Sequence, residues 1–261
     1  MKFTLIKGRF KPKTGQPDGD SVRFQADDSA LWDQVPGHPK NVGTSVQLRF
    51  EGIDTLEKKA IAPLSTLAKE SMLNLIGFHE TDRPTPPGYI LTNGFTINRP
   101  VCFVFSGDSR RKDGSQVSLD TAMLRDSVNY RQAQTGYAYP LFYDTLDAQT
   151  RKTLAEVIAI VAQRPLGNWP TDATQTGVSV RTSADLATMP PIWPKLWRRL
   201  ETFLRKNRPL AEFVPFLAGQ NERMRIASSG KERGFNEIVA VQGDQVRMTE
   251  SPRELIVISS G

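Results

Sequence analysis

Three short segments of this 261-residue chain combine carboxylates and cations at spacings that suit phosphate chemistry. The first is Asp18-Gly19-Asp20-Ser21-Val22, a turn feeding a strand. The second, Arg49-Phe50-Glu51-Gly52-Ile53-Asp54-Thr55-Leu56-Glu57, closes a strand, and the third is the basic turn Arg110-Arg111-Lys112-Asp113-Gly114. Carboxylates at strand ends, with no Cys or His to help, suit a hard cation such as Ca²⁺ or another divalent ion bound by oxygen. Asp20 and Asp54 can ligate it through their side chains and Thr55 through its carbonyl. Glu57, close behind Asp54, can act as general base on a metal-bound water. Arg49 projects from the same strand and can clamp a phosphate bidentately. Each segment also has a plainer reading. A DGD before a strand is a common turn, and Asp-Thr after a strand often caps a helix.

Composition narrows the alternatives. A single cysteine, Cys102, excludes intramolecular disulfides and multi-cysteine zinc sites. Two histidines, His38 and His79, leave little for a histidine metal centre or a histidine-activated nucleophile. No apolar run approaches the roughly 20 residues that span a bilayer, and the start, MKFTLIKGRFKPK, has too short an apolar core for a secretory signal. A cytoplasmic protein with no membrane partner is expected. The net charge of +6 is uneven: residues 1–150 carry +1 and residues 151–261 carry +5. Lys195–Arg208 alone holds six basic residues and one acid, a patch suited to a polyanion or simply a solvated helix face.

The elements that must position these residues follow from periodicity. Phe3 and Leu5, then Val22 and Phe24, then Val46, Leu48 and Phe50 alternate with polar residues and predict strands. Asp27–Thr44 and residues 81–99, both rich in Pro and Gly, read as long loops. Pro63 opens a helix that stops near Gly77, and strands resume at Val101–Phe105 and Gln116–Leu119. Helices are expected over Ser127–Thr135 and Leu146–Gln163. Residues 170–191 read as a linker. A further helix, Trp193–Arg205, and strands at Ile238–Val241, Val246–Met248 and Leu255–Ile258 complete the chain. The expected domains are 1–169, and a small α+β accessory unit over 192–261.

The order and spacing of these pieces resemble the staphylococcal nuclease-like (thermonuclease) family over roughly residues 1–169. That pattern has a DGD-[ST]-V segment, then an Arg five residues before a D-T-P-E motif. A helix near a Pro, a K/R-x-G-R turn, a V-N…G-x-A helix and a last helix ending near a Trp follow. Here these are Asp18–Val22, Arg49 with Asp54-Thr55-Leu56-Glu57, Pro63–Phe78, Lys112-Asp113-Gly114, Val128-Asn129…Gly136-Tyr137-Ala138, and Leu166-Gly167-Asn168-Trp169. The resemblance implies an α+β fold, a five-stranded OB-type barrel with three helices, and Ca²⁺-dependent hydrolysis of DNA or RNA phosphodiesters. Carried over by position, Asp20, Asp54 and Thr55 hold the metal, Glu57 is the general base and Arg49 binds phosphate. Three departures stand out. Leu56 replaces the motif proline, Ser115 replaces the second catalytic arginine, and the loop between Asp20 and Arg49 is longer. Arg110 or Arg111 is the expected substitute, with Lys112 near the phosphate.

Tyr137, Tyr139, Phe142 and Tyr143 can stack bases or close the core, Tyr143 being the strongest substrate candidate. Two functions therefore compete. One is a metal-dependent nuclease; the other is a catalytically impaired module that binds nucleic acid or protein. The extension after residue 170 is expected to grip nucleic acid or a protein partner.

Overall fold

The alternating N-terminal residues form strand β1 (Lys2–Phe10), followed by β2 (Arg23–Ala26), β3 (Ser45–Gln47), β4 (Arg49–Phe50) and β5 (Gly52–Thr55). The computed structural model to which they belong describes residues 1–39, 43–82 and 84–259. Helix α1 (Leu64–Leu75) starts after Pro63 and ends at Gly77, whose φ of +71° suits a helix stop. Strands β6 (Pro87–Thr96) and β7 (Arg99–Ser106) form a hairpin, and β8 (Gln116–Ser118) returns to β1. Helices α2 (Thr121–Asp126) and α3 (Val128–Gln134) are capped by the Asp120 and Ser127 side chains. Strand β9 (Ala138–Tyr143) and helix α4 (Ala148–Val161), capped by Asp147, complete this half.

The mixed α+β class holds. The first sheet runs β3-β2-β1-β6-β7-β4, with β8 on β1. Its two end strands, β3 and β4, are separated in the chain by Leu48 alone. Residues 81–99 do not form the loop their composition suggests. Pro87 opens β6 at a strand's first position, where a missing N–H is tolerated, and Gly94 follows a bulge after Thr92. Between them Tyr89, Ile90 and Leu91 pair with β1 on one side and β7 on the other. The stretch 27–44 contains a 3₁₀ turn, Ser29–Gln34, that buries Leu31 and Trp32; positions 40–42 lie outside the described residues.

Beyond residue 170 come β10 (Val178–Ser179), α5 (Pro194–Leu204), α6 (Phe213–Gly219), β11 (Arg223–Ile226), β12 (Glu232–Gly234), β13 (Val239–Gln242), β14 (Gln245–Met248) and β15 (Leu255–Val257). β13 and β14 form the expected hairpin, and β10 joins them in a separate three-stranded sheet. β15 instead lies parallel to β9, so that one sheet runs β12-β11-β15-β9-β5 across both halves. The expected linker is built into the core, because Ala173, Val178, Val180, Leu186 and Met189 bury with α5. The same cluster holds Leu56, Tyr139 and Leu141 from the first half and Trp193, Leu196 and Leu200 from the second. Among the described residues no helix is long and apolar enough to cross a membrane.

Trp193 joins the halves directly, its indole N–H donating to the Pro140 carbonyl on β9 at 2.8 Å. Trp193→Ala should cost about 3–5 kcal/mol, the usual loss for a buried aromatic. Circular dichroism in guanidinium chloride should show one transition moved to lower denaturant. An unshifted transition belonging to the first half would show that the halves fold independently.

Candidate functional site

Two glycines set the backbone of the acidic cleft. Gly52, at φ +77°, lets the chain leave β7 as β4 and join β9 as β5; a Cβ there would meet Leu154 at 2.5 Å. Asp54 is thereby delivered to the inner edge of the second sheet. At Gly19 a Cβ would lie 2.8 Å from the Thr55 side chain and 2.9 Å from Ala68, so only glycine lets the DGD turn sit on this strand. The Thr55 hydroxyl then donates to Asp20 at 3.4 Å, and the Phe50 amide donates to the Asp20 carbonyl at 3.0 Å.

Asp18, Asp20 and Asp54 converge as a result. Burial, reinforced by the charges of Asp18 and Asp54, holds the Asp20 carboxyl well above the usual carboxylate range, with Arg49 acting in the opposite sense. Burial also raises Asp18, against a bond from the Asp20 amide and the charges of Arg99 and Lys58. The Arg49 side chain has no hydrogen-bond or ion-pair partner among the described residues. It lines a cavity of about 690 Å³ with Tyr143 and Glu51. Four of the expected site residues, Asp20, Asp54, Thr55 and Arg49, therefore gather at one place, with Tyr143 at its margin.

The group that completes this place comes from helix α5. Arg198 lays its guanidinium across Asp54, with Nη1 to Oδ1 at 2.9 Å and Nη2 to Oδ2 at 2.7 Å. Its Nη1 also donates to Glu57 Oε1 at 2.9 Å. The Asp54 side chain is only 3% exposed and that of Arg198 30% exposed. Burial works against the Arg198 charge, but the Asp54 and Glu57 carboxylates more than offset it and hold its pKa above the ordinary arginine value. A fork of this kind fixes orientation as well as charge. Both oxygens of Asp54 are thus taken by protein hydrogen bonds, as is one of Glu57. Among the described residues no group of three or more His, Cys, Asp or Glu side chains is arranged to hold a metal ion.

Ser115 lies between β7 and β8, pinned to β1 by the Leu5 amide bond to its carbonyl at 2.9 Å, and its hydroxyl is buried without a partner. Asp113 accepts from the Lys7 amide and Lys7 Nζ donates to the Ser109 carbonyl, so the whole basic turn is tied to β1. Arg110, Arg111 and Lys112 are exposed on it, and none bonds to Asp20, Asp54 or Glu57. The residue that opens the strand beside β4 is Arg99, the first after the β6–β7 hairpin turn. Its Nη2 donates to the Ser21 hydroxyl at 2.8 Å and to the Leu48 carbonyl at 2.9 Å, while its Nε is buried with no partner. The signal was present as Asn98-Arg99 before an apolar run, hidden because β6 resembled a loop.

The basic patch over Lys195–Arg208 is largely paired with the protein's own carboxylates. Lys195 and Arg199 both pair with Glu222, at 2.6 and 2.7 Å, Arg205 pairs with Glu201, and Arg208 pairs with Glu212. A cation already paired attracts phosphate weakly. Of the aromatic candidates, Tyr139 is core, its hydroxyl donating to Asp172 at 2.8 Å, and Phe142 is buried. Cys102 is also buried, as its apolar strand predicts. No family model and no curated protein matches this chain.

Proposed function

We propose that this chain is a staphylococcal nuclease-like module that binds nucleic acid through Arg49 and Arg99 while Arg198 holds its carboxylates out of hydrolysis. The observation that carries this reading is the Arg198 fork on Asp54 and Glu57. A general base hydrogen-bonded to a guanidinium is a poor proton acceptor, and a saturated carboxylate is a poor metal ligand. Arg49 remains unpaired beside one cavity and Arg99 lines another with Arg23, so phosphate-binding capacity survives where hydrolytic capacity does not. An OB-type barrel is supported by the first sheet, whose seven strands begin and end on the consecutive β3 and β4.

A second, hydrolytic reading is favoured by the gathering of Asp18, Asp20 and Asp54, acids whose mutual repulsion favours a cation beside them. It requires Arg198 to leave.

The test pairs binding with cleavage. Fluorescence anisotropy with single-stranded DNA and RNA should show salt-dependent association, and gels with Ca²⁺, Mg²⁺ or EDTA should show intact strands. Arg49→Ala and Arg99→Ala should each weaken binding and lower the log–log salt slope by about 1, as for one lost phosphate contact. Metal-dependent cleavage by the unaltered protein would overturn the closed-site reading. Binding indifferent to both substitutions would overturn the assignment of the arginines.

A further inference from the structure

Arg49 and Glu51 flank Phe50, and both line the cavity of about 690 Å³ at the end of β4. They carry opposite charges on one face of one extended segment, yet they form no ion pair with each other or with any other described residue. Glu51 Oε1 accepts only the neighbouring Gly52 amide, at 3.2 Å, which leaves Oε2 facing the cavity. Tyr143, Phe95, Leu141 and Val101 give the wall its rings and hydrocarbon, and Asn93, Thr96, Thr145 and Ser259 add neutral polar groups. A cationic anchor, a separate carboxylate acceptor and an aromatic face are the complements of a nucleotide's phosphate, its base N–H donors and its ring.

We propose that this cavity is a base pocket in which Glu51 selects guanine on a single strand. This rests on the nucleic-acid reading above and names the base class that reading leaves open. Guanine alone among the bases offers two adjacent N–H donors on its pairing edge, the match for a carboxylate. Thymine and uracil present one N–H between two carbonyls that a carboxylate repels, while adenine and cytosine set an acceptor beside their donor. Single-stranded bases leave this edge open to a protein.

The charge state of Glu51 gives a second handle. Burial pushes its carboxyl up to about 7, against Arg49 and the Gly52 amide. Burial raises the nearby Cys102 thiol on β7, which Glu51 raises further, and burial also raises Tyr143 on β9, so both are neutral between pH 6 and 8. Met1 and Arg49 line the pocket too, so a pH-dependent base preference is assigned to Glu51 by its loss in Glu51→Gln.

Labelled pentathymidylate with one central base varied, titrated by anisotropy at pH 8 and pH 6, tests this. At pH 8 the guanine oligonucleotide should bind about tenfold or more tighter than the all-thymine one, the size expected of one good bidentate pair. The margin should shrink at pH 6. In Glu51→Gln it should vanish at both pH values, while salt-dependent binding of the thymine strand, which reports an intact fold and phosphate contact, persists. Equal affinity for all bases, or a guanine preference that survives in Glu51→Gln, overturns the inference and leaves the phosphate-binding reading standing. Failure of every oligonucleotide to bind overturns both.

Discussion

Arg198→Ala is expected to lower stability by about 3–5 kcal/mol, because it leaves a buried carboxylate with no counter-charge. Alanine is the better helix former at this α5 position, so the loss cannot be charged to helix propensity. Asp54, 3% exposed, loses two charge-assisted bonds and Glu57 loses one. For a chain of this size each kcal/mol moves the melting temperature by roughly 2–4 °C. Arg198→Lys should recover only part of the loss, since an ammonium is a point charge that cannot span both oxygens of Asp54 and reach Glu57. The distinguishing result lies in metal dependence. With the guanidinium gone, Asp54 and Glu57 lose their bonded cation, and Asp54 still faces the Asp20 carboxyl. Millimolar Ca²⁺ should then raise the melting temperature of Arg198→Ala and leave the unaltered protein unmoved. At a concentration one hundred times its dissociation constant, the ion would return about 2.7 kcal/mol. Metal-dependent strand cleavage is expected, if anywhere, in this variant. An Arg198→Ala protein as stable as the parent would show that the fork contributes nothing. An equal Ca²⁺ shift in both would show that Arg198 does not compete with the ion.

The difference between what the sequence shows and what the fold adds is a difference of range. Asp20, Asp54 and Thr55 were legible because each sits in a short segment whose turn and strand chemistry is local, and Gly19 and Gly52 serve those same segments. Helices α1, α3 and α4 were legible for the same reason, through Pro63 and the caps Ser127 and Asp147. Arg198 lies 144 residues from Asp54 and reached it only through the sheet that β9 shares with β15. Charge patterning over Lys195–Arg208 showed six cations but not their partners, since Glu222 and Asp54 approach from other elements. Arg99 was missed for a subtler reason. Pro87 and Gly94 break the composition of β6, and a strand paired on both sides tolerates them at its first residue and beside a bulge. Once β6 is a strand, the hairpin turn moves to residues 97–98 and Arg99 falls at the start of the strand beside β4.

Asp20→Asn should stabilise the protein at neutral pH, an unusual outcome for a buried polar residue. The Asp20 carboxyl is held well above its ordinary value by burial and then by Asp18 and Asp54, and Arg49 does not compensate. The sign follows from linkage. An acid whose pKa is higher in the folded state binds more protons folded than unfolded, so stability falls as pH rises from the ordinary carboxylate value through the raised one. Below about pH 4 both states are protonated and the penalty is absent; above the raised value it is complete. Asparagine removes the charge and still accepts from the Thr55 hydroxyl, and the Asp20 carbonyl keeps the Phe50 amide. The gain should be on the order of 1–3 kcal/mol at pH 8, the scale of one poorly compensated buried group, and should vanish near pH 3.5. Thermal melts of the two proteins between these limits measure it. A constant difference across pH would show that Asp20 is not ionised at a cost, and a destabilised Asp20→Asn at pH 8 would refute the argument outright. The same substitution made in Arg198→Ala should stabilise more than in the parent, because there Asp54 lacks its paired cation. It should also abolish the Ca²⁺ shift. A residue that lowers stability where it stands, and gains value only when a cation arrives, is how a binding site differs from a structural contact.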